Sequence, residues 1–419
     1  MASAILWKYK PRIVSITGSV GKTSCKEAVF AVLHERFDVR KNEKNYNNEI
    51  GLPLTIIGAE SGERSFWKWL MVSFKWLGVM IFPVRYPEIL ILEMGADRPG
   101  DIEYLASFIK SKIGIITDIS GSHLEYFKTV EGVAKEKGML VKSLDRRGLA
   151  VLNADNLYSA KMKNQVKCQV MTFGFSEEAD IRSTGEDFNF DEETNKVKGL
   201  SFKLNYNGTS LPVRLNNVLA RHQIYAALAA AAVGVEFAMN LVEIAQALQK
   251  FSSPAGRMNL FFGIKDSSII DDTYNSSPAS AKAALLVFGV IPSARKIAVL
   301  GDMLELGEDS ENLHRNLAKE IAASGAQIFF AVGKRMQFAA QALERMNFPS
   351  KNIYVFDNSI DAGKKLQEII QEGDLILVKG SQGMRMEKIV EEVMANPEEA
   401  EKLLCRQSQK WKKTPVAGV

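Results

Sequence analysis

Residues Ile13-Val-Ser-Ile-Thr-Gly-Ser-Val-Gly-Lys-Thr-Ser24 pass from a short apolar run into a loop that ends in Gly-Lys-Thr. This pattern predicts a strand, a nucleotide phosphate loop and a helix. Gly18 and Gly21 would let backbone N–H groups approach the phosphates. Lys22 would pair with the outer phosphates, and Thr23 would offer a hydroxyl to Mg²⁺. The spacing Gly-x-x-Gly-Lys-Thr is shorter than the common form of this motif, and an ordinary strand-turn-helix corner is the alternative interpretation.

The length of 419 residues exceeds one compact core of usual size, so we expect two or three domains. A content of 46% hydrophobic and 24% charged residues is typical of a soluble globular protein. The net charge of +4 gives no electrostatic argument for a nucleic-acid partner. Cys25, Cys168 and Cys405 are scattered and lack metal-binding spacing, which indicates a reducing compartment and predicts a cytoplasmic location.

The order of strand-like and helical patterns predicts an α/β protein with two sheet domains. From residue 12 to about 150 the two patterns alternate, which indicates a parallel sheet with crossover helices. Residues 166–215 read as an antiparallel section, with a Tyr-Asn-Gly turn at 206–208. Alternation resumes after the break at 252–256. We therefore expect a central P-loop ATPase-like parallel-sheet domain with a small antiparallel β section over residues 1–254, a C-terminal Rossmann-like α/β domain over 255–397 and a basic tail over 398–419.

An aromatic insertion at 64–84 interrupts the first predicted domain. Residues 66–82 are apolar on nearly all sides of a helix and include three tryptophans, yet they are too short and too charged to predict a membrane span. Arg64, Lys68 and Lys75 fall near one face of that helix, a pattern typical of a helix lying in a membrane interface. The hypothesis is a peripheral contact at the inner face of the membrane. A core or subunit-contact helix is the alternative.

Three residues beyond the loop could carry chemistry. Glu93 ends the apolar run Ile89-Leu-Ile-Leu-Glu93, where a parallel strand opens onto a ligand crevice, and a carboxylate there suits Mg²⁺. His123 follows the next strand-like run, and a structural histidine is its alternative. Lys137 lies in a helical pattern, where a solvated lysine would be the usual interpretation.

Five segments, taken in order, resemble the Mur ligases of peptidoglycan synthesis. They are residues 17–24, 45–54, 271–278, 299–307 with His314, and 377–385. The likeness extends over roughly residues 12–395, and it is nearest to the branch that joins D-alanyl-D-alanine to a UDP-linked muramyl tripeptide.

The resemblance implies an ATP-dependent amide ligase that acts through an acyl phosphate and releases ADP and phosphate. Its small-molecule substrates would be a muramyl peptide and D-alanyl-D-alanine, and it would use two Mg²⁺ ions. The implied catalytic residues are Lys22, His123 and Lys137. The implied nucleotide-binding residues are Gly18, Ser19, Gly21, Lys22, Thr23, Ser24, Arg257, Asn275 and Asp302. The implied metal-binding residues are Thr23, Glu93, His123 and Lys137, and the implied substrate-binding residues are Asn47, Asn48, Lys379, Ser381 and Arg385.

The resemblance also gives individual roles. Lys137 matches a lysine that becomes carbamylated and then binds the second metal, which requires a lowered pKa. Arg257 would lie toward the phosphates, Asn275 toward adenine and Asp302 toward ribose. ATP would then lie between the two domains, and their closure would assemble the site.

Two departures from the family pattern leave alternatives open. In residues 220–226 alanine and glutamine replace a glycine and two asparagines, so polar contacts of relatives are expected to be missing there. The family also carries a domain before the glycine loop that binds the UDP-sugar. Its absence here predicts that a separate subunit binds the substrate, that the two remaining domains bind it, or that the acceptor is not a UDP-linked muramyl peptide. The alternatives are a Mur-type ligase acting on another peptide, amino-acid polymer or lipid-linked acceptor, and a non-catalytic ATP-binding partner subunit.

Overall fold

The computed structural model describes residues 1–43, 46–121, 124–194 and 196–414, without the side chains of Leu124 and Glu125. The described residues form two compact units. The first comprises Met1–Glu186, Ser201–Leu215 and Arg221–Phe251, and the second comprises Asp187–Leu200, Asn216–Ala220 and the described residues from Ser252 onward.

The chain up to residue 251 contains nine strands and ten α-helices within its described residues. In order they are α1 (Ala2–Tyr9), β1 (Arg12–Thr17), α2 (Lys22–Leu33), β2 (Val39–Lys41), α3 (Gly51–Ile57), α4 (Phe66–Ile81), β3 (Ile89–Glu93), α5 (Asp101–Phe108), β4 (Ile113–Ile116), α6 (Leu124–Phe127), α7 (Val130–Lys142), β5 (Leu149–Asn153), α8 (Leu157–Lys161), β6 (Gln169–Gly174), β7 (Ile181–Phe190), β8 (Val197–Tyr206), β9 (Thr209–Asn216), α9 (Gln223–Glu236) and α10 (Leu241–Leu248).

These strands form one sheet in the order β2-β3-β1-β4-β5-β6-β7-β8-β9. β1 pairs in parallel with β3, with Ile13 opposite Leu90, and with β4, with Val14 opposite Ile113. β1, β3, β4 and β5 are buried along nearly their whole length, which explains their continuous apolar runs. Because the carboxyl ends of β1, β3 and β4 meet at one edge, the residues that follow these strands lie close together.

The antiparallel section is shorter than the sequence predicts. β6 pairs in parallel with β5, with Leu152 opposite Thr172, so the expectation of an antiparallel meander was wrong for this strand. The segment between β5 and β6 contains α8 and is long enough for a parallel crossover. The predicted turn is confirmed, because Asn207 and Gly208 have φ angles of 47° and 77° and join the neighbouring strands β8 and β9 as a two-residue hairpin.

The second sheet domain follows from residue 259. Its elements are β10 (Asn259–Phe262), β11 (Ser268–Asp272), α11 (Pro278–Val290), β12 (Arg295–Gly301), α12 (Ser310–Ala323), β13 (Ile328–Val332), α13 (Gln337–Arg345), β14 (Ile353–Phe356), α14 (Ser359–Ile369), β15 (Asp374–Lys379), α15 (Glu387–Val393), α16 (Ala400–Leu403) and α17 (Gln409–Lys412).

This sheet has the order β10-β11-β15-β12-β13-β14, and every pair except the antiparallel β10 and β11 is parallel. Alternate residues of one strand enter two different apolar clusters. On β12, Ala298 and Leu300 join one cluster, whereas Ile297 and Val299 join the other. The sheet is therefore covered on both faces, as a doubly wound domain requires, and the predicted α/β class is confirmed.

The aromatic insertion forms α4, as predicted. Val72 is the buried residue of this helix. Within the described ranges, no helix combines the length and the apolarity needed to cross a bilayer.

Candidate active site

The glycine loop connects the end of β1 to the first residue of α2. Gly21 precedes α2 with a φ of 83°, a left-handed conformation that glycine adopts without steric penalty. A Cβ on Gly18 would lie 2.0 Å from Thr117 Oγ1, so a larger residue does not fit without rearrangement. The N–H groups that begin α2 therefore face the loop, as an anion-binding site requires.

The residues after β4 hold the loop in place. The Thr117 hydroxyl donates to Val20 O at 2.6 Å. The Ser19 N–H donates to Asp118 O at 2.7 Å, and the Ser19 hydroxyl donates to Ser120 O at 2.9 Å. These bonds fix the loop backbone before any ligand binds, which lowers the ordering cost of binding.

The Lys22 ammonium lies over this loop. Lys22 Nζ donates to Gly18 O at 2.7 Å and to Ser19 O at 3.3 Å. Ser24 follows in the same helix turn and is buried, on the wall of the pocket described below. The loop thus brings the Lys22 ammonium and the N-terminus of α2 together, an arrangement that can bind a polyphosphate.

Thr23 and Glu93 form a pair of oxygen groups beside the loop. Thr23 Oγ1 donates to Glu93 Oε1 at 3.2 Å. Glu93 is buried at the end of β3, its Oε2 has no hydrogen-bond partner, and Lys26 Nζ lies 3.8 Å from that oxygen. A hydroxyl and a buried carboxylate oxygen without a hydrogen bond are ligands that Mg²⁺ accepts. The residues therefore fit the predicted magnesium.

Lys137 is buried on α7. Burial, followed by the positive charge of Lys22, lowers the pKa of Lys137 to about 8. The neighbouring Glu136 carboxylate accepts the N–H groups of Gly100 and Ile102, both at 2.8 Å. A buried lysine with this pKa has a substantial neutral fraction near pH 8, and a neutral amine is the form that reacts with CO₂.

The predicted metal and catalytic residue His123 lies outside the described residues. In the part of the chain that the structure covers, no group of three or more His, Cys, Asp and Glu side chains is arranged to hold a metal. The assignment of His123 stays a prediction.

A pocket of about 270 Å³ adjoins the glycine loop on the first unit. His222, Gln223 and Ala226 line it, so the segment that departs from the family pattern forms part of its wall. The other lining residues are Val20, Gly21, Ser24, Cys25, Thr117, Asp118, Asn153, Asp155, Asn156, Phe173 and Tyr225.

Sequence reasoning missed the polar residues at the end of β5 and just after it. Asn153 Nδ2 donates to Thr117 O at 2.8 Å, and Asn156 Nδ2 donates to Asp118 Oδ1 at 2.8 Å. Asp155 Oδ2 accepts the Tyr225 hydroxyl at 2.9 Å. Asn153, Asp155 and Asn156 lie at the carboxyl end of a parallel strand. The same feature identified Glu93, so it could also have identified these residues.

Asn47 and Asn48 line a second pocket of the first unit, of about 770 Å³. Asn47 O accepts the Gly95 N–H at 2.8 Å, and Asn48 Oδ1 accepts the Gly51 N–H at 2.9 Å at the start of α3. The remaining lining residues are Glu49, Gly95, Asp97, Arg98, Asp101, Tyr104, Leu105 and Tyr126. The predicted contact of both asparagines with substrate stays a prediction.

In the second unit, three predicted residues lie together where β11 and β15 end. Lys379 Nζ pairs with Asp272 Oδ2 at 2.6 Å and donates to Asn275 O at 2.9 Å. The Ser381 hydroxyl donates to Ser276 O at 3.2 Å. The structure thus places Lys379, Ser381 and Asn275 in one cluster.

Asp302 and Arg257, the other two predicted nucleotide-binding residues of this unit, contact different groups. Asp302 Oδ1 accepts the N–H groups of Arg335 at 3.0 Å and Met336 at 2.7 Å, and burial raises the pKa of its carboxyl. The Arg257 guanidinium lies over the Tyr274 ring, 4.2 Å from its centroid. Their nucleotide contacts stay predictions.

Arg385 is buried within an ion network of the second unit. Its Nε donates to Glu387 Oε1 at 2.6 Å, and Arg406 Nη1 donates to Glu387 Oε2 at 2.9 Å. Arg385 Nη1 also donates to the carbonyls of Trp411 and Thr414, so these two residues of the predicted basic tail contact the network. The contact of Arg385 with an incoming dipeptide stays a prediction, and the structure gives its guanidinium a structural role.

Replacing Glu387 by glutamine should lower the free energy of unfolding by about 3 kcal/mol, because two buried guanidinium groups would lose their counter-charge. Urea denaturation measures this change. The matched control is Glu391→Gln, which breaks the partly exposed Lys388 pair and should cost less than about 1 kcal/mol. Equal effects of the two variants would contradict the assigned role of Glu387.

Comparison with known proteins gives two family matches. The Mur ligase middle domain matches residues 79–234, and the Mur ligase glutamate ligase domain matches residues 256–382. Together the two ranges cover more than half of the chain.

Individual relatives agree with these matches. The UDP-N-acetylmuramoyl-tripeptide–D-alanyl-D-alanine ligase of Bacillus subtilis is 29% identical over 400 residues, which is 95% of this chain and 79% of the relative. The ligase of the same name from Escherichia coli is 28% identical over 399 residues, 94% of this chain and 80% of the relative.

Solved structures of related proteins share the fold. A crystal structure of MurF from Acinetobacter baumannii has a TM-score of 0.75 at 24% identity and covers 93% of this chain and 78% of its own. A MurF ligase from Thermotoga maritima in complex with ADP has a TM-score of 0.69 at 24% identity, covering 96% of this chain and 83% of its own. These structures show the shared fold, and the two domain matches with the phosphate loop show that the chain belongs to the Mur ligase family of ATP-dependent amide ligases.

Proposed function

We propose that this chain joins D-alanyl-D-alanine to the free carboxylate of a muramyl tripeptide, with ATP as the second substrate. The names of the Bacillus subtilis and Escherichia coli relatives, which align with at least 94% of the chain, support these substrates. A carboxylate oxygen would attack the γ-phosphorus, with ADP as the leaving group. The dipeptide amine would then attack the acyl carbon, lose a proton and release phosphate.

The glycine loop is the observation that carries this proposal. Its backbone is fixed by Ser19 and Thr117, and the Lys22 ammonium lies over it. Phosphoryl transfer needs alignment and neutralisation of charge more than covalent help from the protein. A fixed loop, a helix N-terminus and a lysine supply both requirements at one point.

Thr23 and Glu93 would hold a magnesium ion next to the loop. When bound, the ion would neutralise phosphate charge. The chain's own contribution is the Thr23 hydroxyl and the buried Glu93 carboxylate, held in place because the Glu93 N–H donates to Asn42 Oδ1 at 2.7 Å.

Replacing Glu93 by glutamine should raise the Mg²⁺ concentration needed for half-maximal activity by at least about ten-fold, because the amide is a weaker metal ligand than the carboxylate. Titration of activity with MgCl₂ at saturating ATP measures the shift. The matched control is Glu27→Gln on α2, whose carboxylate pairs with Lys26 and Lys41. An unchanged magnesium requirement in Glu93→Gln would remove this residue from the metal site.

Lys137 would react with CO₂ to form a carbamate, as the resemblance implies. The ammonium first loses one proton; the neutral amine nitrogen then bonds to the carbon of CO₂ and a second proton is released to solvent, so a cation becomes an anion. The buried position and the lowered pKa support this assignment. The carbamate would serve as a ligand for a second magnesium ion, together with His123.

The cluster of Lys379 and Ser381 would receive the carboxylate of the incoming dipeptide. The Lys379 ammonium is buried against Asp272 and adjoins the Ser381 hydroxyl through residues 275 and 276. A lysine and a hydroxyl are suitable partners for a carboxylate. Arg257, Asn275 and Asp302 would bind the nucleotide, as the resemblance implies. The cytoplasmic location and the separate substrate-binding subunit stay predictions.

Phosphate release by the purified chain tests the proposal. The complete mixture holds ATP, MgCl₂, UDP-muramyl tripeptide and D-alanyl-D-alanine, and each component is omitted in turn. We expect release that requires all four. Release that requires the tripeptide but accepts another amine would indicate a ligase with a different substrate, and the absence of any dipeptide-dependent release would overturn the proposed function.

A further inference from the structure

Helix α4 carries an apolar face that no described residue covers. Its inner side contributes Val72 to the core, with Trp76, Val79 and Met80 packed against that core. Its other side consists of large apolar residues that are exposed over most of their surface. We call this set the α4 outer face: Trp67 (73% exposed), Met71 (68%), Phe74 (60%), Ile81 (62%) and Phe82 (63%).

The α4 outer face is continuous along the helix. Positions 67, 71, 74, 78 and 81 recur at intervals of four and three residues, so they lie in one stripe. Gly78 falls within the stripe, and a Cβ placed there would have no heavy atom within 4 Å. The described chain therefore leaves open space at Gly78 as well as at the exposed residues on either side of it.

The helix is held firmly on its inner side by α1. Lys8 Nζ donates to the carbonyls of Val79 and Met80, both at 2.9 Å, and the Tyr9 hydroxyl donates to Val79 O at 2.8 Å. Trp76 Nε1 donates to Met1 O at 3.1 Å. A cation on the last carbonyls also complements the helix dipole. The outer face is thus a fixed platform, and α1 adds the exposed Trp7 to the same part of the molecule.

Between Glu63 and Glu88, which stand just outside its two ends, the segment that carries this platform is basic. Residues 64–87 contain four basic residues and no aspartate or glutamate, and residues 1–26 also contain none, although the chain has 49 acidic residues in total. Arg64 and Lys68 are exposed at the start of α4. Exposed aromatic and aliphatic side chains flanked by basic residues match the interface of an anionic bilayer.

We propose that the α4 outer face docks onto a bilayer surface that contains anionic phospholipid, with the helix lying in the interface. The helix has 16 residues, about 24 Å in length, which is shorter than the hydrocarbon core of about 30 Å. A second copy fits less well, because a two-fold contact would bring the same basic residues toward one another. This inference does not depend on the proposed ligase activity.

Co-sedimentation of the full chain with large vesicles tests the proposal. The vesicles are pure phosphatidylcholine, or phosphatidylcholine with one quarter phosphatidylglycerol, at low and high salt. We expect binding to the anionic vesicles that weakens at high salt. The triple variant Trp67→Ser, Met71→Ser, Phe74→Ser should lower the partition coefficient at least about ten-fold. The double variant Arg64→Gln, Lys68→Gln should lower it about five-fold or more on anionic vesicles only.

Leu286→Ser with Val290→Ser is the matched control, because these two residues are apolar and similarly exposed on α11. The control should bind vesicles like the wild-type chain. Equal binding of the wild-type chain and the triple variant, or no binding to anionic vesicles, would overturn the proposal. It would also be overturned by a dimer in light scattering that the triple variant abolishes, since the face would then join two copies. Phosphate release with soluble substrates should be unchanged in the triple variant, which separates a failure of this inference from a failure of the proposed function.

Discussion

Replacing Lys22 by methionine is expected to lower the ligase turnover about a thousand-fold. The Lys22 ammonium is the cation that lies over the glycine loop, where it donates to Gly18 O and Ser19 O. Methionine keeps the length of the side chain and removes its charge, so negative charge that develops during phosphoryl transfer would lose its protein counter-charge. The measurement is steady-state phosphate release at saturating substrates.

Lys250→Met is the control for this prediction. Lys250 belongs to the same unit, is exposed and pairs with Glu35, so its replacement should leave turnover within about two-fold of the wild-type value. Thermal unfolding of both variants shows whether they are folded. A folded Lys22→Met chain with turnover near that of the wild type would contradict the assignment of the loop to phosphoryl transfer.

Replacing Lys137 by alanine is expected to reduce turnover by about a thousand-fold, because the carbamate would be lost as a metal ligand. Formate or acetate should restore part of the activity without added bicarbonate, since a small carboxylate can occupy the space that the carbamate leaves. The Lys22→Met chain should gain nothing from these acids. Undiminished activity of Lys137→Ala would remove this role.

The carbamate also predicts a dependence on pH and CO₂. The pKa of Lys137 is about 8, so the neutral fraction of its amine increases as the pH rises toward 8. The increase is nearly ten-fold per pH unit well below the pKa, and the fraction levels off above it. At a fixed concentration of dissolved CO₂, the carbamylated fraction should therefore increase between pH 6 and pH 8. Intact-protein mass spectrometry after trapping of the carbamate measures this fraction, and a fraction that falls as the pH rises would contradict the assignment.

The strands that carry the site could be predicted because their sequence pattern has a direct physical cause. β1, β3 and β4 are buried on both faces, so they read as unbroken apolar runs, and the residue types at their carboxyl ends stand out. Glu93 was identified in this way, and Thr23 Oγ1 does lie within hydrogen-bond distance of its carboxylate. The order of the strands along the chain and the residues at their carboxyl ends were sufficient to predict that Thr23 and Glu93 lie together.

The remaining parts depend on contacts between distant segments, which no local pattern encodes. Asp155 interacts with Tyr225, 70 residues away, and nothing near Tyr225 indicates this partner. β6 was misjudged because strand direction is decided by the path of the connection rather than by the residues of the strand. Arg385 was assigned by charge and by its place in the family pattern, whereas its burial against Glu387 and Trp411 appears only in three dimensions.

Oxygen-18 transfer tests the central claim most directly. The muramyl tripeptide is prepared with ¹⁸O in its terminal carboxylate and incubated with the chain, ATP, MgCl₂ and D-alanyl-D-alanine, and both products are analysed by mass spectrometry. The account predicts an amide product that contains the dipeptide and a phosphate that has gained one ¹⁸O atom from the carboxylate. Phosphate without ¹⁸O and no amide product would show that the chain hydrolyses ATP without forming an acyl phosphate, which would contradict the account.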